Sequence, residues 1–456
     1  MLVSLVFYFI ASPKYIFFLL FSAATTFYAA GLLQRTNREK TGKRKGILFA
    51  VIFLNIGLLA FLKFGGAVFG WIQSFWPQPD GPFLQLILPL GISFYTLQVV
   101  GYCVDIYRGK YAAETNFAKY LLFVSFFPQI VQGPIARYDQ LAAQFTEHHP
   151  FDYTQVKYGV QLMLWGFFKK MVIADRAALL VNQVFSNYQD YTGFSLFVAS
   201  VFYSIQIYTD FSGCVDIARG AAQIFGIKLA HNFNHPYFAL SIQDFWRRWH
   251  ISLSTWLRDY IYIPLGGNRK GRFRKYQNIL ATFLVSGLWH GVGWQYIVWG
   301  ALHGLYQVVG SLLQPLRDWL VKVFSVNRNA FSHKFFKGLV TFNLVNFAWI
   351  FFRSSSLTDA VRYIKYMFSQ FNPWIFFDNS LYSMGLSQKD FSLLIVCAAV
   401  LLVVSLLQRK MNLREKLDEQ GLVFRWSIDL IAIFSIIILG IYGIGYTAAD
   451  FIYAQF

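Results

Sequence analysis

DFWRRWHISLSTWLRDYIYIPLGGNRKGRFRKYQNILATFLVSGLWHGVGWQYIVWGALHG, residues Asp244 to Gly304, is the stretch on which the reading of this chain turns. It holds three of the eight histidines (His250, His290 and His303) and six of the thirteen tryptophans. It also holds a run of Arg and Lys in a chain that is otherwise mostly apolar. Polar and ionisable groups are costly inside a bilayer, so their concentration here marks a candidate site.

The surroundings justify a membrane setting. Of 456 residues, 56% are hydrophobic and only 14% charged, against roughly 25% charged in soluble domains. Several apolar runs approach the ~20 residues that span a bilayer as a helix. The expected architecture is therefore an all-α, polytopic helical bundle in contact with lipid, read as one unit over 1–456. No linker-like change of composition divides it. Net charge is +18, from 40 basic and 22 acidic residues. The basic residues fall largely in short loops between apolar runs, which reads as the positive-inside bias rather than affinity for nucleic acid. Cys103, Cys214 and Cys397 are far apart, and no CxxC is present, so neither a disulfide framework nor a zinc site is supported. Met1–Ile10 lacks a basic leader and an obvious cleavage site and is read as retained.

Taken in order, spans are expected over 15–33, 46–64, 83–107, 158–181, 193–207, 278–291, 295–312, 338–352, 391–407 and 428–446, with further apolar stretches over 117–131 and 211–227. The loop 34–45 carries six basic residues against Glu39 and is the strongest cytoplasmic marker. The stretches 269–275, 317–337 and 409–425 read the same way, while 378–388 and the C-terminus read external. Gln132-Gly-Pro134 is expected to interrupt a helix. Asp216 and Arg219, at i and i+3, are expected to pair on one helix face. Phe238–Ile263 is too charged for a lipid-facing span and reads as a re-entrant or in-plane helix pair. Residues 357–371 read as an amphipathic surface helix.

Within 238–304, the candidate catalytic core, His290 stands in Gly287-Leu-Trp-His-Gly-Val-Gly-Trp294. A neutral imidazole there suits proton abstraction from a hydroxyl near pH 7, and the flanking glycines leave room for a substrate chain. The competing reading is a packing histidine. His250, after Trp246-Arg-Arg-Trp249, suits orientation of His290 or of the donor, or donation to a developing oxyanion. Its competing reading is a helix-end histidine. His303, with Trp289 and Trp249 beside the other two histidines, is expected to support them. Arg269, Lys270, Arg272, Arg274 and Lys275 follow Gly266-Gly267, where a flexible basic loop suits the phosphates of a nucleotide-containing donor; simple cytoplasmic anchoring is the alternative. His231 and His235 form the only HxxxH pair, among Asn and Pro residues that read as loop, so metal or haem is not expected.

With these residues in place the chain resembles the membrane-bound O-acyltransferases. It is most similar to the bacterial branch that serves alginate and peptidoglycan O-acetylation. The likeness rests on Pro89-Leu-Gly-Ile-Ser-Phe-Tyr95, Asp105-Ile-Tyr-Arg-Gly109, Phe126-Phe-Pro-Gln-Ile-Val-Gln-Gly-Pro134, Asp210-Phe-Ser-Gly213, Asp244–Gly267 and Gly287–Gly304. The resemblance implies a helical bundle with re-entrant segments and a central tunnel. It implies that His290 is the catalytic histidine, and that His250 occupies an upstream position often filled by Asn. It implies acetyl-CoA as a cytosolic donor substrate, with no bound cofactor. It also implies an extracytoplasmic transferase or polysaccharide-modifying partner, and location in the bacterial inner membrane.

The tail 448–456, ending Phe451-Ile-Tyr-Ala-Gln-Phe456, resembles an FIYxxF motif whose tyrosine relays the acyl group. Tyr453 is the matching residue. The chain begins almost at the part matching Ala11–Lys14, where relatives carry a further apolar segment, so the helix count there stays open. The alternative function is a transporter of a lipid-linked or acylated molecule, with histidines in a proton pathway.

Overall fold

The computed structural model describes residues 1–75 and 88–442, and among these there are helices and no strand. Two compact units are present, one of residues 1–75, 88–159 and 218–230, the other of 160–217 and 231–442.

The first unit begins with α1 (Leu2–Ala11), α2 (Ile16–Arg35), α3 (Thr41–Phe75) and α4 (Ile92–Arg108). It continues through α5 (Phe117–Ser125), α6 (Phe127–Ile130), α7 (Tyr138–Leu141) and the start of α8 (Tyr153–Phe167). Gly91 starts α4 at φ +69, and a Cβ there would lie 2.0 Å from the Ile130 carbonyl oxygen, so only glycine fits this approach. The expected interruption at 132–134 is present, since α6 ends at Ile130 and no helix follows until α7. A second break precedes it at Phe126, with Pro128 in the first turn of α6, where its missing N–H is not needed. Arg44 donates to the Tyr107 carbonyl at 2.9 Å, and Arg38 packs against Gly109. The basic loop after α2 and the end of α4 thus share one end of this unit.

In the second unit α8 leads through a π-helical turn, Phe168–Ala174, into α9 (Asp175–Ser186). The next helix, α10 (Phe194–Ile224), is continuous over 31 residues where a span over 193–207 and a separate apolar stretch over 211–227 were expected. The apparent polar interruption is compensated in the fold. Asp210 lies 2.7 Å from Lys170, which also reaches Asp175 at 2.8 Å. Lys169 reaches Asp216 at 2.7 Å and donates to the Ser212 hydroxyl at 2.9 Å. Asp216 therefore takes a cation from the neighbouring helix. Gly166 and Gly213 let the two helices touch, a Cβ on either falling within 2.8 Å of the other's carbonyl oxygen.

The rest comprises α11 (Ile242–Arg248), α12 (Ile251–Leu257), α13 (Gly271–His290), α14 (Trp294–Leu312), α15 (Gln314–Val323) and α16 (Phe331–Arg353). After them come α17 (Leu357–Met367), α18 (Gln388–Gln408), α19 (Leu413–Asp418) and α20 (Leu422–Leu439). The amphipathic reading of 357–371 holds for α17, which buries Ala360, Tyr363 and Met367 and exposes Arg362 and Lys365.

Among the described residues five helices are long and apolar enough to cross a membrane, or six if the bent pair α14–α15 counts as one span. That is fewer than the sequence suggested, in part because α4, α5 and α8 run for only 17, 9 and 15 residues. No residue of α20 is buried, and its exposed Ile431 and Ile438 suit contact with lipid tails.

Candidate active site

Phe238–Ile263 folds as the broken helix pair its charges called for. Ser241 caps α11 by accepting from the Asp244 amide, and Asp244 pairs with Arg248 at 2.8 Å, one turn on. The chain then turns at His250, whose φ of +43 is left-handed and rare outside glycine. Asn232 braces the turn from the side. Its backbone carbonyl accepts from the Ile251 amide and its side-chain oxygen from the Ser252 amide, both at 3.0 Å. The first amides of α12 are thereby satisfied without a local cap. The result fixes the His250 ring in the interior, 1% exposed and edge-on to Phe211 at 4.7 Å.

His290 ends α13, and α14 returns after the short connection 291–293. The two helices are in backbone contact. A Cβ on Gly287 would lie 2.3 Å from the Tyr296 carbonyl oxygen, and one on Gly300 2.3 Å from that of Phe283. A Cβ on Gly291 would meet the Tyr296 ring at 2.3 Å. The glycines beside His290 therefore serve the hairpin's packing, and the room expected there for a substrate chain is occupied by Tyr296.

This packing assembles the aromatic cluster. Trp289 bridges the two histidines, its ring 6.2 Å from His250 and 4.8 Å from His290. Trp299 stands perpendicular to His290 at 5.0 Å, and His303, one turn further along α14, lies 5.1 Å from Trp299. α16 adds Phe352, 5.2 Å from His290, and Trp349, stacked on Trp299 at 5.8 Å and 5.2 Å from Trp249. His290, His250, His303, Trp289 and Trp249 are thus brought into one place. The ring of His290 is 1% exposed and walled by Trp289, Trp299 and Phe352. Such a wall keeps the imidazole away from bulk water.

Hydrogen bonding fixes the state of one member. The Trp246 indole N–H donates to His303 Nδ1 at 3.1 Å, so a neutral His303 carries its proton on Nε2. That nitrogen, and the indole nitrogens of Trp299 and Trp349, are buried without an acceptor among the described residues. A buried unsatisfied donor costs about 1–3 kcal/mol, so three together call for a reason. Trp349 was not singled out in the sequence, where it is one tryptophan in an apolar helix.

The basic residues lie elsewhere. Arg269, Lys270, Arg272 and Arg274 are exposed and Lys275 half-buried, at the opposite end of α13 from His290. At about 1.5 Å per residue the separation is roughly 22–28 Å. Their loop is a tied turn rather than a flexible one. Gly266, Gly267 and Gly271 take positive φ, and buried Asn278 donates to the Gly267 carbonyl at 2.8 Å. Tyr453 lies outside the described residues.

Comparison with known proteins brings out the same region. The sequence model of MBOAT, the membrane-bound O-acyltransferase family, matches residues 112–342. A peptidoglycan O-acetyltransferase of Helicobacter pylori is 36% identical over 402 residues, covering 80% of this chain and 72% of its own. A probable alginate O-acetylase AlgI of Pseudomonas aeruginosa is 38% identical over 365 residues, covering 78% and 67%. A teichoic acid D-alanyltransferase of Bacillus subtilis is 32% identical over 244 residues, covering 50% and 60%.

Proposed function

The chain belongs to the membrane-bound O-acyltransferase family, and from that premise we propose that it moves an acetyl group from cytosolic acetyl-CoA across the bacterial inner membrane, for O-acetylation of a cell-surface polysaccharide. It is an O-acyltransferase and a multi-pass membrane protein, which sets aside the transporter alternative. Acetyl as the acyl group and polysaccharide as the final acceptor are supported by the names of the peptidoglycan and alginate relatives, which cover more of this chain than the D-alanylating one.

The observation that carries the reading is the burial of His290 and His250 on either side of Trp289, within the region the family shares. In the proposed step His290 takes the proton of the acceptor hydroxyl as its oxygen attacks the thioester carbon. The carbonyl electron pair moves to oxygen. Collapse of that oxyanion re-forms the carbonyl and breaks the C–S bond, and the departing thiolate takes the proton back from the imidazolium. The products are an ester and free CoA. General base catalysis of this kind is worth roughly 10²–10⁴-fold. His250, held by its left-handed turn, orients the reacting groups through hydrogen bonding.

The basic turn 269–275 attracts the donor's phosphates by charge. Its separation from His290 suits a donor that is long and thin between phosphate and thioester. The acceptor is Tyr453 or a hydroxyl presented from outside. A phenol, of ordinary pKa about 10, leaves more readily than an alkyl alcohol, so an aryl ester passes the acetyl group on to an extracytoplasmic partner transferase.

The test is incubation of purified protein with labelled acetyl-CoA, reading free thiol and the mass of the C-terminal peptide. Thiol release with acetyl on Tyr453, both lost in His290→Ala, is the expected result. Undiminished release by His290→Ala would remove His290 from the role.

A further inference from the structure

Among the described residues, the buried nitrogens of Trp299, Trp349 and His303 that have no acceptor are all donors. Trp299 and Trp349 offer only indole N–H groups, and Trp246 has already taken the Nδ1 acceptor of His303, leaving its Nε2–H. All three side chains are 0% exposed. Their rings lie 5.1 Å (Trp299 to His303), 5.8 Å (Trp299 to Trp349) and 6.3 Å (His303 to Trp349) apart, and Trp299 lies against His290. Three buried donors set together in an aromatic wall are matched by a group that accepts.

We propose that Trp299, supported by Trp349 and His303, binds the carbonyl oxygen of the transferring acyl group and stabilises it as an oxyanion. The inference rests on the acyl-transfer reading of His290. As the acceptor oxygen bonds to the thioester carbon, the carbonyl pair becomes a full negative charge on oxygen. The Trp299 N–H then meets a stronger acceptor than it did in the ground state, which is the condition for accelerating the step rather than only binding the donor. His303 is held in the donating tautomer by Trp246, so Trp246 is a positioning residue. Trp349 keeps the Trp299 ring in place by stacking and adds a second indole donor to the patch.

The experiment replaces Trp299 by 3-benzothienylalanine, which keeps the shape of the bicyclic ring and puts sulfur in place of the N–H. Full-length protein with labelled acetyl-CoA is expected to show kcat reduced roughly 10²-fold, with KM for acetyl-CoA changed less than about twofold. A Trp246→Phe variant is expected to lower kcat with a pH profile shifted by loss of the fixed His303 tautomer. A readout independent of turnover is ultraviolet resonance Raman of the indole N–H. A non-transferable ketone analogue of acetyl-CoA is expected to shift the band in wild-type protein, and the shift should vanish with the benzothienyl residue. Wild-type kcat with the benzothienyl residue, or a change confined to KM, overturns the oxyanion assignment while leaving acyl transfer standing. A wild-type protein that releases no thiol overturns the acyl-transfer reading itself, and this inference with it.

Discussion

His250 joins backbone and chemistry in one residue. Its left-handed φ tolerates Asn, which visits that region several-fold more often than most residues, and an Asn amide still hydrogen-bonds. His250→Asn is expected to keep the fold and lose activity only about tenfold. His250→Val puts a β-branched residue where even an unbranched one costs about 1–2 kcal/mol. It is expected to lower the thermal midpoint in detergent as well as abolish turnover. Asn232 is the neighbouring case. Asn232→Ala removes one of the two acceptors bracing α12 and is expected to cost about 1 kcal/mol, read as a lowered midpoint with retained but slower turnover. An Asn232→Ala protein with an unaltered midpoint would contradict that bracing role.

Among the elements, the hairpin α13–α14 sets the position of His290, and its glycines are the means. Gly287→Ala, aimed 2.3 Å from a carbonyl oxygen, is expected to displace the hairpin and cost at least about 1–3 kcal/mol, with turnover falling more than donor affinity. The ion pairs between the π-turn and α10 hold the other wall. Lys170→Met leaves Asp175 and Asp210, 5% and 2% exposed, without their shared cation. The loss is expected to be about 3–5 kcal/mol, partly recovered by adding Asp210→Asn. A thermal-unfolding series of the single and double variants checks both signs.

These elements also show what the sequence could reveal. The broken pair at 242–257 was legible because its charges cannot face lipid, and α17 because its polar residues recur at helical spacing. α10 was not, since a buried Asp reads as a helix end until its partner, Lys170, is placed on another helix. The three histidines and their tryptophans were legible as a cluster because they lie close in sequence. Trp349 and Asn232 were not, because each enters through a contact across the fold. The purpose of the glycines beside His290 was misread for the same reason: sequence shows that a side chain is missing, not what fills its place.

At the scale of the whole molecule, α13 runs from a basic, exposed end to an apolar end that buries His290. This arrangement suits a donor that enters from the cytoplasm and an acceptor met deeper in the protein. Replacing Arg269, Lys270 and Arg272 together by Gln is expected to raise KM for acetyl-CoA several-fold and leave kcat within about twofold. The effect should fade at high salt, as exposed charges are screened over ~10 Å at 0.1 M. A change in kcat alone would place these residues outside donor binding.

The central claim is that the buried imidazole of His290 passes an acyl group from a thioester on one face of the membrane to an oxygen on the other. Its most direct measurement uses the full-length protein in sealed vesicles, with labelled acetyl-CoA supplied only to the cytoplasmic face and covalent label followed on the opposite face. Label reaching an ester on the far side in wild-type protein, falling by roughly 10²–10⁴-fold in His290→Ala, is the expected result. Equal transfer by both proteins, or label confined to the side of supply, would contradict it.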